Sequence, residues 1–216
     1  MPKRAIVVGA TGLVGSRLVA VLLGDPDYDS IHALVRRPLG NPDAKLCEHS
    51  VDFTRLADFV WPVADDVYCC LGTTIRTAGS QEAFREVDYS YPLAIARGAQ
   101  LHGAKQFLFV SAMGADAHSS VFYSRVKGEL EAAIAALGYH AAIAFRPSLL
   151  AGDRREQRLG ERVALMALQP FRRLVPRKYR PVADVAVARA MAAYAKRCLA
   201  GFHIVQSDAI QAFAPD

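Results

Sequence analysis

Three glycines placed where a short apolar run gives way to an amphipathic one constrain this chain more than any other feature: Arg4-Ala-Ile-Val-Val-Gly9-Ala-Thr-Gly12-Leu-Val-Gly15. The spacing predicts a buried strand that turns at once into a helix. Gly9 permits the tight exit from the strand, Gly12 a close approach of backbone to a pyrophosphate, and Gly15 close packing of the new helix on the strand. The apolar Ala5 to Val8 precedes the turn, and Leu13, Leu18, Val21 and Leu22 follow it at helical spacing. First-turn N–H groups have no partner within a helix and lie at the positive end of its dipole. Gly9, Thr11, Gly12, Leu13, Val14 and Gly15 are therefore candidates to bind a dinucleotide anion.

Short runs that read as strands continue at Ser30 to Val35, Val67 to Leu71, Gln106 to Val110, His140 to Phe145 and Phe202 to Val205, with a third strand ending at Val51-Asp52-Phe53. Helical stretches such as Gln81 to Leu101 and Ser120 to Leu137 lie between them, long enough to cross over a parallel sheet. This rhythm predicts an α/β fold, a doubly wound, mostly parallel sheet in one Rossmann domain over residues 1–216. The arginine- and proline-rich stretch 150–181 reads as a small substrate-side excursion from it. With 52% hydrophobic and 22% charged residues over 216 positions, the chain can bury a full core. It offers no signal peptide, no anchor and no membrane-spanning run. Cys47, Cys69, Cys70 and Cys198 have no metal-ligand spacing, nor do the six histidines, so no metal is expected and the thiols read as reduced. A cytoplasmic location is the expectation that follows.

The end of the second strand, Ala33-Leu-Val-Arg36-Arg37, bears on which dinucleotide is held. A carboxylate there accepts from a ribose 2′-hydroxyl, whereas guanidiniums grip a 2′-phosphate in forked hydrogen bonds. Arg36 and Arg37 point to NADP(H). Ligands in such sheets lie at the carboxyl ends of the strands, which adds Asp52 and Phe53 for the adenine, and Cys70, Leu71, Gly72 and Thr73 beside the cofactor. Asp52 serves equally well as the cap of a helix starting near Thr54, and Gly72 as a plain turn.

Chemistry is suggested by Val110-Ser111-Ala-Met-Gly-Ala and by Phe122-Tyr123-Ser-Arg-Val-Lys127. Tyr123 and Lys127 are four apart, on one face of a helix whose apolar stripe is Phe122, Val126, Leu130 and Ile134. An ammonium near a phenol favours the phenolate and brings a group of reference pKa about 10 closer to useful acid–base work. Ser111, at a strand end, is placed to hydrogen-bond the same substrate oxygen. The plainer alternative makes Tyr123 a half-buried aromatic and pairs Lys127 with Glu131 one turn on.

Together these residues resemble the short-chain dehydrogenase/reductase superfamily, with Phe145-Arg146-Pro147-Ser148 and Pro181-Val-Ala-Asp184-Val-Ala in its order. More narrowly, Cys69-Cys-Leu-Gly-Thr-Thr74, Val87-Asp-Tyr89, Tyr123-Ser-Arg-Val-Lys-Gly-Glu129 and Gly152-Asp-Arg154 look like the atypical subgroup of the Tat-interacting, NADPH-binding oxidoreductase. The resemblance implies NADPH binding, with Ser111 polarising a carbonyl and Tyr123 giving the proton. It also implies that Lys127 holds the nicotinamide ribose and that Arg146, Pro147 and Ser148 border the nicotinamide. Asp88 stands where many members of the superfamily have Asn, and the interval from Ser111 to Tyr123 is short. The expected function is an NADPH-dependent reductase or dehydrogenase acting by hydride transfer on a small carbonyl or hydroxyl compound. The alternative is a non-catalytic NADPH-binding redox sensor or regulator. The net charge of +5 and the arginines between Arg154 and Arg180 admit an anionic substrate but bring no nucleic-acid module with them. Neither a nucleic acid nor a membrane is expected as a partner, and oligomeric state is not legible.

Overall fold

Alternating burial along each strand explains the architecture: Ile6 and Val8 face one side of the sheet and Ala5 and Val7 the other, with all four fully buried. The same division separates Leu108 from Phe107 and Phe109, and Ile143 from Ala142 and Ala144. Strands that are apolar on both faces need helices on both faces, which only crossover connections supply. The computed structural model describes residues 2–151, 176–197 and 199–215.

In chain order the sheet strands are β1 (Lys3–Val8), β2 (Tyr28–Val35), β3 (Leu46–Ser50), β4 (Asp66–Cys69), β5 (Gln106–Val110), β6 (Ala141–Arg146) and, after two shorter strands, β9 (Gly201–Gln206). They are arranged β3-β2-β1-β4-β5-β6-β9, and every pairing among the described strands is parallel. The order reverses beside β1, which leaves a crevice at the carboxyl ends of β1 and β4. This is the expected single Rossmann domain. On one face lie α1 (Leu13–Leu23) and α6 (Asp184–Ala195), whose Leu18, Leu22, Val187 and Met191 join the core there. On the other lie α4 (Tyr91–Leu101) and α5 (Phe122–Ala135), through Ile95, Ala96, Leu130 and Ile134. Gly138, just beyond α5, has φ +70, the left-handed geometry of a helix stop.

The long helix expected over Gln81 to Leu101 is continuous but not uniform. It begins as α3 (Gln81–Arg85), capped by the Ser80 hydroxyl, passes through a π-helical turn at Glu86–Ser90, and resumes as α4. The third strand stops at Ser50, short of the expected Val51 to Phe53, because Asp52 starts a 3₁₀ helix over Phe53–Asp58. Most of the excursion expected over 150–181 lies outside the described residues. Its ends are tied together where β7 (Leu150–Ala151) pairs in parallel with β8 (Val182–Ala183).

Candidate active site

The turn after β1 is built to the tolerance of a backbone. Gly9 has φ +81, and a Cβ there would fall 2.7 Å from the Cys70 carbonyl group at the end of β4. A Cβ on Gly15 would fall 2.1 Å from the Gly9 carbonyl oxygen, so only glycine lets α1 start this close to the strand. The Gly12 amide donates to the Gly9 carbonyl at 2.9 Å, and no side chain among the described residues caps α1. Thr11 and Gly12 are exposed, Leu13 half-buried and Val14 buried, so an uncapped helix end opens outward beneath exposed backbone.

Arg36 and Arg37 follow the end of β2 and are both exposed. Neither makes a hydrogen bond or ion pair with another described residue. Arg36 lies within electrostatic reach of Tyr91, whose ring packs 5.6 Å from that of the half-buried Phe53. Asp52 acts as a cap: it accepts from the Thr54 amide at 2.9 Å and from the Thr54 hydroxyl at 2.7 Å. Those bonds hold its carboxyl below the usual carboxylate range. Tyr91 was not singled out from the sequence, and its position in a helix without a polar motif gave no signal for it.

At the centre, α5 presents Tyr123, Lys127 and Glu131 at successive i, i+4 positions, and each looks to a different element. The Lys127 ammonium lies 2.7 Å from Asp88 Oδ1, with the two side chains 4% and 1% exposed. It also donates to the Val110 carbonyl at 3.4 Å. Burial works against the charged lysine, but the carboxylate, aided by Tyr123 and Cys69, holds it above the ordinary lysine range. The second oxygen of Asp88 accepts from the Thr73 amide at 2.8 Å. Cys70, Leu71 and Thr73 are half-buried along the loop beyond β4, while Gly72 is exposed; a Cβ on Gly72 would sit 3.6 Å from Asp88 Oδ1 and 4.0 Å from Lys127 Nζ. The Tyr123 ring is half-buried and rests 5.4 Å from that of Phe84. Its helix can lie so close to the loop after Ser111 because Gly128 faces that loop; a Cβ there would be 2.2 Å from the Ala117 amide nitrogen.

Glu131 does not pair with Lys127, contrary to the plainer sequence alternative. Its carboxylate accepts from the Ser111 hydroxyl at 2.5 Å and takes a forked pair from Arg146, Nε at 2.9 Å and Nη2 at 2.5 Å. Those bonds, opposed in part by burial, raise Arg146 above even its ordinary range. Ser111 is 3% exposed. Pro147 is buried and accepts from the Met113 amide at 3.0 Å, while the Ser148 hydroxyl donates to the Arg180 carbonyl at 2.5 Å. Lys127, Asp88 and Thr73 thus form one knot, and Glu131, Ser111 and Arg146 a second, both at the carboxyl ends of β4, β5 and β6. The sequence marks Glu131 only as a surface partner of Lys127 and Asp88 only as a departure from a pattern; neither partnership is local enough to read from it.

The NAD dependent epimerase/dehydratase family matches this chain over residues 5–169. The chain belongs to that family. Relatives within it support the narrower resemblance to the atypical short-chain subgroup. Protein HTATIP2 of Rattus norvegicus is 36% identical over 167 residues, covering 75% of this chain and 69% of its own. Protein FMP52, mitochondrial, of Candida albicans is 39% identical over 166 residues, covering 73% of this chain and 72% of its own. In fold the chain is similar to MoeE5 in complex with UDP-glucose and NAD (TM-score 0.71, 16% identity, 94% of this chain and 75% of that one). It is similar also to a short chain dehydrogenase family protein from Francisella tularensis (TM-score 0.71, 12% identity, 97% and 99%). The family is one of NAD(P)-binding oxidoreductases and epimerases. The expectation of a cytoplasmic location does not stand, because fungal relatives are mitochondrial by name. Reduced thiols indicated a reducing compartment, and the cytoplasm is not the only one. No helix among the described residues is long and apolar enough to cross a membrane.

Proposed function

We propose that this family member is an NADP(H)-dependent oxidoreductase that reduces a small carbonyl compound, or oxidises the matching alcohol, with Tyr123 as the proton-transferring group. The observation that carries the reading is the convergence of the uncapped glycine turn and the Tyr123–Lys127 face of α5 on one end of the sheet. The residues fit a dinucleotide: Gly9 and Gly15 let the turn close onto the strand ends, Gly12 leaves exposed backbone without a Cβ where a pyrophosphate would lie, and the α1 amides await an anion. When bound, the nicotinamide supplies or accepts the hydride. Arg36 and Arg37, exposed and without ion-pair partners among the described residues, receive the 2′-phosphate. Phe53 and Tyr91 offer the adenine an aromatic ledge, and Asp52 can meet its edge with the oxygen that Thr54 leaves free. Cys70, Leu71, Gly72 and Thr73 line the cofactor from β4, and Arg146, Pro147 and Ser148 border the nicotinamide from β6. Lys127 orients the ribose with the N–H that Asp88 and Val110 leave over.

Ser111 takes a narrower role than the resemblance implies. Its hydrogen points at Glu131, so its oxygen offers a substrate lone pairs rather than a donor, and the donating role falls to Tyr123. The same geometry lends support to the second reading, a non-catalytic NADPH-binding sensor, in which both knots merely hold the fold. Exposed Arg177 and Lys178, at the return from the 150–181 excursion, favour an anionic substrate.

Oxidation of NADPH across a panel of carbonyl compounds, comparing wild type with Tyr123→Phe, tests the reading. Tight NADPH binding without any Tyr123-dependent turnover would transfer the protein to the sensor class. For the cofactor, Arg36→Ala with Arg37→Ala weakens NADPH by at least tenfold more than NADH, about 1.4 kcal/mol of discrimination. Equal losses measured by fluorescence titration would mean that the arginines do not read the phosphate.

A further inference from the structure

We propose that Asp88 is the charge-setting residue of this site: by pairing with Lys127 it cancels the ammonium that would otherwise draw Tyr123 towards phenolate, and so keeps the phenol proton available for delivery. The inference rests on the reading of Tyr123 as proton donor and goes beyond it by assigning the control of that proton to a residue on another element. A lone cation within about 4–6 Å of an ionisable group moves its titration by about 1–3 pH units. Lys127 is not lone. Its ammonium and the Asp88 carboxylate are 2.7 Å apart and almost wholly out of water, where little solvent screens either. Beyond the pair the two opposite charges act as a dipole, whose field falls off faster than that of a lone cation.

The surroundings leave this pair to decide the local charge. Among the described residues, Asp88, Tyr123 and Cys69 act most strongly on Lys127. The buried Cys69 thiol is pushed up to about 12 and stays neutral. Arg146 and Glu131 neutralise each other one turn further along α5, and Arg85 does the same with Glu129 on its outer side. Tyr123 is flanked by the uncharged ring of Phe84. Asp88 is also held by the Thr73 amide, so it cannot swing out to leave the lysine bare. An asparagine at position 88 keeps the shape but offers one acceptor oxygen where the carboxylate offers two, so it serves either the Thr73 amide or Lys127 and leaves the ammonium unbalanced. The aspartate is therefore a positioning residue of a particular kind, since it positions charge.

The test needs no substrate. Tyrosine labelled with carbon-13 at the ζ position is titrated by NMR in the intact protein, the Tyr123 signal being assigned by its loss in Tyr123→Phe. In Asp88→Asn the Tyr123 midpoint falls by about one pH unit, a tenfold rise in its ionisation constant. In Lys127→Met it rises, because the buried carboxylate now faces the phenol alone, and in the double variant it returns close to the wild-type position. An unchanged midpoint in Asp88→Asn overturns the proposal; if that variant does not fold, an equal midpoint in Lys127→Met and the double variant does so. Because the signal reads charge coupling and not turnover, a protein that shows the coupling yet reduces nothing would refute the reductase reading while leaving this one standing.

Discussion

Two buried polar networks, one at each end of the same strands, make opposite use of a carboxylate. At the amino ends, Asp66 on β4 accepts from the Tyr28 hydroxyl at 2.5 Å, the Lys3 ammonium at 3.1 Å and the Gln106 amide at 2.9 Å, and Tyr28 in turn bonds Tyr68 at 2.7 Å. Burial pushes Asp66 above the usual carboxylate range, and it pushes Tyr28 and Tyr68 higher still, so the phenols there are locked in their neutral form. At the carboxyl ends the carboxylates of Asp88 and Glu131 are matched to full cations, and a half-buried phenol stands beside them. The amino-end network closes on itself through hydroxyls, an amide and the Lys3 ammonium. The carboxyl-end network is held by ion pairs and borders exposed backbone and a free tyrosine. Buried polarity alone does not mark a functional site; what distinguishes one is a group left with chemistry still to do.

Removing one phenol hydroxyl at each end separates the two networks most strongly. Tyr123→Phe, which loses no hydrogen bond among the described residues, lowers NADPH oxidation by about 10²–10⁴-fold with an unchanged melting temperature. A retained rate would place both ends in the structural class. Next in size, Glu131→Ala strands Arg146 and Ser111 and costs about 3–5 kcal/mol in urea unfolding, as loss of one partner of a buried ion pair does. Tyr28→Phe leaves Asp66 and Tyr68 each short of a partner and costs about 1–3 kcal/mol, with turnover and cofactor affinity as in wild type. An altered NADPH affinity in that variant would show that the two ends communicate through the strands.

The smallest effect is a pH slope. Because Asp66 binds its proton more tightly in the folded chain than at the ordinary 3.8, its favourable contribution is full below that value and declines as pH rises through the raised one. Urea midpoints of wild type and Asp66→Asn, compared between about pH 3 and pH 8, should therefore diverge across that window and run parallel above it. A constant offset would mean that Asp66 is not the group titrating.

What could be read beforehand was what is periodic or local. The glycine turn, the two-sided apolar strands and the i, i+4 spacing of Tyr123 and Lys127 are each contained in a dozen residues, and the sheet followed from them. The partners of that face were not legible, because they depend on which strand ends arrive opposite each turn of α5. Lys127 and Glu131 have the right spacing to pair, yet Asp88 comes to one from the helix after β4, while Ser111 and Arg146 come to the other from β5 and β6. A contact between residues 20 or 39 positions apart leaves no periodic trace. Asp52 shows the opposite case: the cap reading and the ligand reading both fitted the sequence, and the local hydrogen bonds to Thr54 are the ones that formed.

The π turn at Glu86–Ser90 carries a consequence for how this protein can vary. Such a turn is a helix with one residue more than its pitch needs. Deleting any single residue from it would heal the irregularity into plain α-helix, by local criteria an improvement. The flanking turns would keep their phase, because the bulge absorbs its extra residue in one wider turn, but the residues within that turn would be redistributed around the helix. Phe84 and Tyr91, outside the bulge, would keep their ring partners, while Asp88, within it, would lose its line to Lys127. The length of this helix is thus under a constraint that no composition or hydropathy would disclose: a one-residue gap here would cost the protein its aim while leaving its fold in good repair.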